Sequence, residues 1–211
     1  MTDKKRLFSI FLVVFIDLLG FSIILPLLPF YAETFGASAT VVGLLVAIYA
    51  AGQMISAPVL GRLSDRYGRR PFLIVSILGG AISFFILGIA SNLTMLFIAR
   101  LVAGLTAGNI SVAQAYITDV TDAKNRSRGL GLIGAAFGLG FVIGPALGGL
   151  LSQWGYAVPA FLAAGIAALN LVVVFLWLPE SLTEERKQEI QLQKKAPISI
   201  SSLMATLRKP V

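Results

Sequence analysis

Cysteine and histidine are both missing from this chain of 211 residues. Their absence removes disulfides, thiol nucleophiles, the usual zinc sites and imidazole general bases together. Most membrane-embedded hydrolases and metalloproteases need one of those groups, so neither enzyme chemistry, a metal nor a cofactor is expected. Charge is scarce too. Only 13% of the residues are Asp, Glu, Lys or Arg, against about 25% in soluble domains. Instead 57% are hydrophobic and mean hydropathy is +0.87. Acids are the rarer sign, ten against seventeen Lys and Arg, which leaves a net charge of +7. In a soluble protein that balance would suggest nucleic acid or a membrane surface, but here the placement of the charges gives another account.

Six apolar runs are each long enough to cross a hydrocarbon core of about 30 Å as helix. They cover roughly Leu7–Phe30, Thr40–Leu60, Phe72–Ala90, Leu93–Ile117, Leu130–Leu151 and Ala157–Leu178. Barrel strands would instead alternate polar and apolar over about 10 residues. An all-α membrane protein of six transmembrane helices is expected, with residues 1–178 as the bundle, embedded in a lipid bilayer. Lys4, Lys5 and Arg6 before the first run imitate a signal peptide. The run is too long for one, contains an acid and lacks a small-residue cleavage site, so it reads as a retained span.

Lys and Arg fall on alternate connections: the N-terminus, the segment 61–71, the segment 124–128 and everything after Leu178. The connections around Glu33, Ser91 and Gln153 have none. Basic residues mark cytoplasmic loops, so both termini are expected inside. The +7 is then a topology signal, and no nucleic-acid partner is expected. Pro179 stops the last helix, and 179–211 reads as a cytoplasmic linker. Within it Ile200, Leu203, Met204 and Leu207 form a one-sided stripe that fits either a membrane-surface helix or a lead into a further span. The chain reads as a fragment.

Two charges lie inside spans. Asp17 is ten residues into the first and Arg100 seven into the fourth. At 1.5 Å per residue the oppositely directed helices bring them within about one turn in depth. A charge at mid-membrane costs at least about 2.5–3.5 kcal/mol, so each should face a partner or a water-filled cavity. Either the two line a polar path or they form an ion pair that fixes packing. Gly104, Ala107, Ser111, Gln114 and Thr118 share a helical face with Arg100, and Tyr49, Gln53 and Ser56 line up on span 2. Both stripes are candidate cavity walls. Pro26 and Pro29 should break the outer end of span 1. In span 5, Gly140, Gly144 and Gly148 recur every fourth residue, a spacing that admits another helix closely, and Pro145 adds a point of bending.

Between spans 2 and 3 the stretch Gly61–Pro71, GRLSDRYGRRP, reads as a patterned loop carrying Arg62, Asp65, Arg66, Arg69 and Arg70 between glycines Gly61 and Gly68. Spans 2 and 4 both end on the inner side, where helix C-termini carry negative partial charge. Asp65 and Asp119 are misplaced there by about 0.3–1 kcal/mol each. They need cations or another helix's N-terminus. Arg66, Arg69 and Arg70 are candidates for Asp65, and Arg126 or Arg128 for Asp119.

With these residues on the page, the chain resembles the N-terminal half of a major facilitator superfamily transporter of the drug:proton antiporter type. Gly61 to Arg70 is similar to the superfamily's signature between spans 2 and 3. Leu96 to Gly108 is similar to the span 4 motif, whose arginine, here Arg100, is implicated in proton coupling. Gly140, Gly144, Pro145, Gly148 and Gly149 fill every fixed position of the antiporter pattern G-x-x-x-G-P-x-x-G-G. Asp17, Gly20, Pro26 and Pro29 look like the first span of tetracycline/proton antiporters. Those proteins place an aspartate in span 3 where this chain has Ser83, which points to an efflux pump of broader or different drug range.

The resemblance implies two inverted three-helix repeats, a missing C-terminal six-helix half, and a substrate site between the halves. It also implies a small organic substrate and a proton as partners, in a bacterial inner membrane. Asp17 is expected to exchange the proton, since burial disfavours a carboxylate while a nearby cation favours it, with Arg100 as modulator. The family's account makes Asp65 part of a conformational gate with Gly61, Gly68, Arg69, Arg70 and Asp119. Two other readings remain at this level: a sugar or metabolite symporter or facilitator, and a non-catalytic scaffold or channel subunit.

Overall fold

The computed structural model describes residues 3–182; the stripe at 200–207 lies outside them. Among these residues every regular element is a helix, and six helical stretches are long and apolar enough to cross a membrane. Span 1 is α1 (Asp3–Ile24). It breaks at a turn containing Pro26, after which the short α2 (Leu28–Glu33) has Pro29 in its first turn. Proline fits there because the first turn of a helix has no internal acceptor for its N–H. Span 2 is α3 (Ala39–Tyr67) and span 3 is α4 (Arg69–Gly88). Span 5 is α7 (Arg126–Leu151), continuous through Pro145, and a 3-10 turn leads to span 6, α8 (Ala157–Trp177).

Two expectations are corrected here. The stretch Gly61–Pro71 is not a loop: α3 stays helical through Tyr67, and α4 begins two residues later. Residues 62–67, polar but for Leu63, leave the apolar layer without leaving the helix, and Gly61 is tolerated inside it at about 1 kcal/mol. Only Gly68, at φ 112°, turns the chain, in a region open to glycine and costly for other residues. Span 4 is not one helix but two, α5 (Leu93–Leu105) and α6 (Asn109–Val120), parted at Thr106–Gly108. The face running from Arg100 to Thr118 therefore does not continue as a single helical stripe.

Helix pairing explains how the bundle closes. α1 packs on α7, and α3 packs on α5; α1 also packs on α8 as α4 does on α5, and α4 lies along α8. Exchanging spans 1–3 with spans 4–6 converts the first pair into the second and the third into the fourth, and returns the last to itself. This is the packing signature of two related three-helix units, and it is present without any residue-level repeat. The first two pairs are each joined by a serine hydroxyl on a glycine carbonyl, though the donor helix is span 1 in one and span 2 in the other. Ser22 Oγ donates to the Gly140 carbonyl at 2.8 Å and Ser56 Oγ to the Gly104 carbonyl at 2.7 Å.

Glycine sets how near these helices come. A Cβ on Gly104 would lie 2.6 Å from the Tyr49 carbonyl oxygen, and one on Gly144 would collide with Ser22 Oγ. The glycines at 140, 144 and 148 thus receive α1, the partner their spacing called for. Gly104→Val is expected to force α5 off α3 and destabilise the bundle by about 1–3 kcal/mol, the usual range for overpacking. A lowered unfolding temperature in detergent is the measurement, and an unchanged one counts against this contact.

Two apolar clusters fill the bundle. One, at the end bearing Arg69, includes Ile10, Val13, Leu73, Ile77, Tyr116 and Val120. The other, toward the opposite end, includes Ile23, Leu45, Phe84, Leu96 and Ala99. The intramembrane charges lie in the layer between them.

Candidate functional site

Asp17 and Arg100 line one cavity of about 40 Å³, with Phe21, Tyr49, Ser76, Thr106 and Asn109 among its walls. They form no ion pair with each other. Asp17 Oδ2 accepts a hydrogen bond from Asn109 Nδ2. Arg100 is 2% exposed. Its guanidinium lies over the Tyr49 ring, 4.2 Å from the centroid, a contact worth about 2 kcal/mol when desolvated. Arg100 Nε reaches the Leu45 carbonyl at 3.5 Å. Arg100 Nη2 and the buried Ser76 Oγ have no protein partner. The space exceeds the roughly 10–15 Å³ that a water needs, so a polar, hydratable pocket holds two charges of opposite sign apart.

The break in span 4 builds this pocket. Thr106 Oγ1 donates back to the carbonyls of Val102 and Ala103 at 2.8 and 3.3 Å, competing with the helical ladder. Gly108 just beyond offers little resistance to ending it. Freed backbone groups inside a membrane must find partners. The Gly104 carbonyl takes Ser56 Oγ, and the Gly108 carbonyl takes Ser111 Oγ at 2.9 Å, which also reaches the Ala57 carbonyl of α3 at 3.3 Å. Asn109 then opens α6 facing Asp17. Of the candidate wall residues, Tyr49 lines the pocket and Gln53 touches it indirectly, donating from Nε2 to Tyr49 Oη at 3.3 Å. Ser111 is engaged in joining helices, and Gln114 is exposed on the bundle surface. Ser83 is buried in the α4–α5 contact, donating to the Ala99 carbonyl at 2.9 Å. Asn109, Ser76 and Thr106 were not singled out from sequence. Only their polarity within an apolar run distinguishes them there.

A second cluster gathers at the junction of α3 and α4. Arg69 is 4% exposed and forks between three helices' ends. Its Nη1 donates to Asp65 Oδ1 at 2.6 Å and Ser64 Oγ at 2.8 Å, and its Nε to Asp119 Oδ2 at 2.9 Å. Asp119 also accepts from Ser181 Oγ at 3.0 Å. Among the described residues Arg69 is thus the cation bonded to both misplaced acids, rather than Arg126 or Arg128 for Asp119. Arg66 stacks on Tyr67, and Arg70 lies over the Phe175 ring at 5.5 Å while donating to the Phe175 carbonyl. Gly61 is helical, and a Cβ there would come 3.8 Å from Ser111 Oγ.

Glu180, not anticipated from sequence, completes this cluster. Its Oε1 accepts from the backbone N–H of Arg69 at 2.8 Å and Ser181 at 3.0 Å, and its Oε2 accepts from Arg70 N–H at 3.1 Å. Gly68 supplies no side chain to cap α4, so a carboxylate from the end of span 6 does so, at the positive end of the helix dipole. A Cβ on Gly68 would sit 2.5 Å from Glu180 Oε2. Glycine is therefore required twice here, for its φ and for the cap. Pro179, Ser181 and Leu182, assigned from sequence to the linker, pack on the bundle through these bonds and through Tyr116 Oη, which donates to the Pro179 carbonyl at 3.0 Å.

Comparison with known proteins agrees with this architecture. The family model described as Major Facilitator Superfamily matches residues 10–211. The tetracycline resistance protein, class C, of Escherichia coli is 40% identical over 190 residues, 89% of this chain and 48% of that protein. The class H protein of Pasteurella multocida is 38% identical over 92% of this chain and 48% of its own length. Multidrug resistance protein 2 of Bacillus subtilis (strain 168) is 32% identical over 97% and 52%. Among solved structures, the human organic anion transporter MFSD10 (TETRAN) superposes with a TM-score of 0.80 at 28% identity, over 88% of this chain and 50% of that one. The chain spans about half the length of the curated relatives it matches. It is an integral membrane protein, and it belongs to the major facilitator superfamily.

Proposed function

We propose that this chain is the first half of a secondary transporter that moves drug-like organic molecules outward against inward proton flow. A second six-helix half completes the substrate site, and alternating access arises between the two. The observation that carries this reading is the shared pocket in which Asp17 and Arg100 face the same space unpaired. A purely structural pair would be in contact, because separated charges in a membrane forgo the attraction that offsets their cost of about 2.5–3.5 kcal/mol or more each. A carboxylate held by one neutral amide can gain and lose a proton without breaking an ion pair. Arg100, parked on Tyr49, then biases that exchange through space.

Support comes also from relatives whose names record tetracycline and multidrug resistance. The burial of Ser83 away from the pocket favours a drug range other than tetracycline alone. The Arg69 cluster acts in this reading as the gate at the basic end, with Asp65, Gly68, Arg70 and Asp119. Gly140, Gly144, Pro145, Gly148 and Gly149 keep α7 close to α1. In this reading both termini, and this gate, lie on the cytoplasmic side of a bacterial inner membrane, an orientation supported by the asymmetry of Lys and Arg.

The test is uptake of a drug panel into everted vesicles from cells expressing the full coding sequence. Accumulation that collapses when the pH gradient is dissipated is the expected result. Transport indifferent to that gradient, or none for any drug on the panel, would overturn the reading.

A further inference from the structure

Asn109 and Asp119 stand at opposite ends of one short helix. α6 begins at Asn109 and ends at Val120, so about 15 Å of rigid rise separates the two side chains. At one end Asn109 Nδ2 donates to Asp17 Oδ2. At the other Asp119 Oδ2 accepts from Arg69 and Ser181. The intervening residues Val112, Ala113, Tyr116 and Ile117 are buried, so the helix moves as a body if it moves at all. It is parted from α5 at Thr106–Gly108, where the ordinary helical ladder is interrupted and short local bonds replace it, such as Gly108 N–H to the Thr106 carbonyl at 2.8 Å. The helical ladder between α5 and α6 is thus interrupted, and α6 is tied near both ends to charged groups, with Ser111 Oγ on the Ala57 carbonyl and Tyr116 Oη on the Pro179 carbonyl between them.

From this juxtaposition we infer that Asn109 is a positioning residue that reads the charge state of Asp17 and transmits it through α6 to the Asp119–Arg69 contact. The inference rests on the proposed proton exchange at Asp17 and adds the route by which it reaches the gate. Its physical basis is the difference between a charge-assisted hydrogen bond and a neutral one, about twofold in strength. Ionised, Asp17 holds Asn109 and keeps the first turn of α6 against α1. Protonated, it holds the amide less strongly and becomes a donor itself. The first turn is then released, and with it the alignment of Asp119 on Arg69. The opposite direction follows by linkage: pulling Asp119 from Arg69 shifts the first turn and alters the proton affinity of Asp17.

Other groups could not substitute for Asn109 in this role. Those facing Asp17 across the pocket are Arg100 from α5, Tyr49 from α3 and Ser76 from α4, none of them on α6. α7 and α8, packed on the other flanks of α1, carry no titratable side chain between Gly129 and Leu151 or between Ala157 and Trp177.

This chain carries no native cysteine to compete for a label, and any cysteine in the rest of the protein is first replaced by serine. In the full-length protein, spin labels at Ala123→Cys, just past α6, and Val75→Cys, on the exposed side of α4, report the distance between them by electron paramagnetic resonance across a pH series. Infrared difference spectra, taken against Asp17→Asn, follow the carboxyl proton in the same samples. The expected result is a distance shift whose midpoint coincides with the carboxyl titration. In Asn109→Ala that shift is lost while the carboxyl still titrates, and Asn109→Gln, which keeps the amide, restores part of it. A carboxyl that titrates with no distance shift, or a shift retained in Asn109→Ala, overturns the inference and leaves proton exchange at Asp17 standing. A carboxyl that never titrates overturns the proton reading itself.

Discussion

Asp17→Asn is expected to abolish pH-gradient-driven efflux while leaving the protein as stable as before, or more so. Asparagine has the shape of aspartate, and its carbonyl can still accept from Asn109 Nδ2, so the pocket stays filled, with the weaker neutral bond of the protonated acid in place of the charge-assisted one. What disappears is the ionisable group. A charge at this depth costs about 2.5–3.5 kcal/mol or more, and Arg100 does not offset it by direct contact. Removing that charge should raise the unfolding temperature in detergent or leave it unchanged. Activity and stability therefore separate: the variant accumulates in the membrane, binds drug and exchanges it downhill, yet cannot concentrate it in everted vesicles under an imposed pH gradient. Gradient-driven uptake at the original rate would remove Asp17 from the mechanism, and a large loss of stability would mean that its charge is structural.

The architecture was readable because membrane solvation leaves a coarse mark on sequence. Six long apolar runs and the glycine spacing in span 5 require only length and period, and they appear as α1 through α8 with α7 laid on α1. Even the meeting of Asp17 and Arg100 in one layer follows from residue counts along two oppositely directed helices. The features that escaped depend on competition between bonds, which hydropathy does not register. The break at Thr106–Gly108 lies within a run that hydropathy reads as one span, and its local marks are a hydroxyl bonded to carbonyls one turn back and a glycine two residues on. The helix through Tyr67 was hidden for the opposite reason, since the end of an apolar run marks where lipid stops and not where the helix must. Glu180 follows a proline at the end of span 6, and nothing local in sequence says that it caps α4, some 110 residues earlier in the chain.

Arg69→Ala is the other change with a large expected effect, and it distinguishes a gate from an anchor. Breaking a buried pair by removing one partner costs about 3–5 kcal/mol. The lower end applies here, because the side chains of Asp65 and Asp119 are 31% and 17% exposed. The backbone N–H of Arg69 still reaches Glu180, so the cap of α4 survives and the loss is confined to the guanidinium. Arg69→Lys does little better, since one ammonium cannot span Asp65 on α3 and Asp119 on α6 as the planar fork does. Adding Asp119→Asn to Arg69→Ala removes one stranded acid and should return part of the lost stability. The two changes share a contact, so their effects are not additive. Transport is the deciding measurement. If Arg69 only anchors the bundle, the double variant regains efflux along with its unfolding temperature. If the contact opens and closes during the cycle, the restored bundle still lacks the bond that changes between states. Efflux then stays more than tenfold below the original while stability recovers.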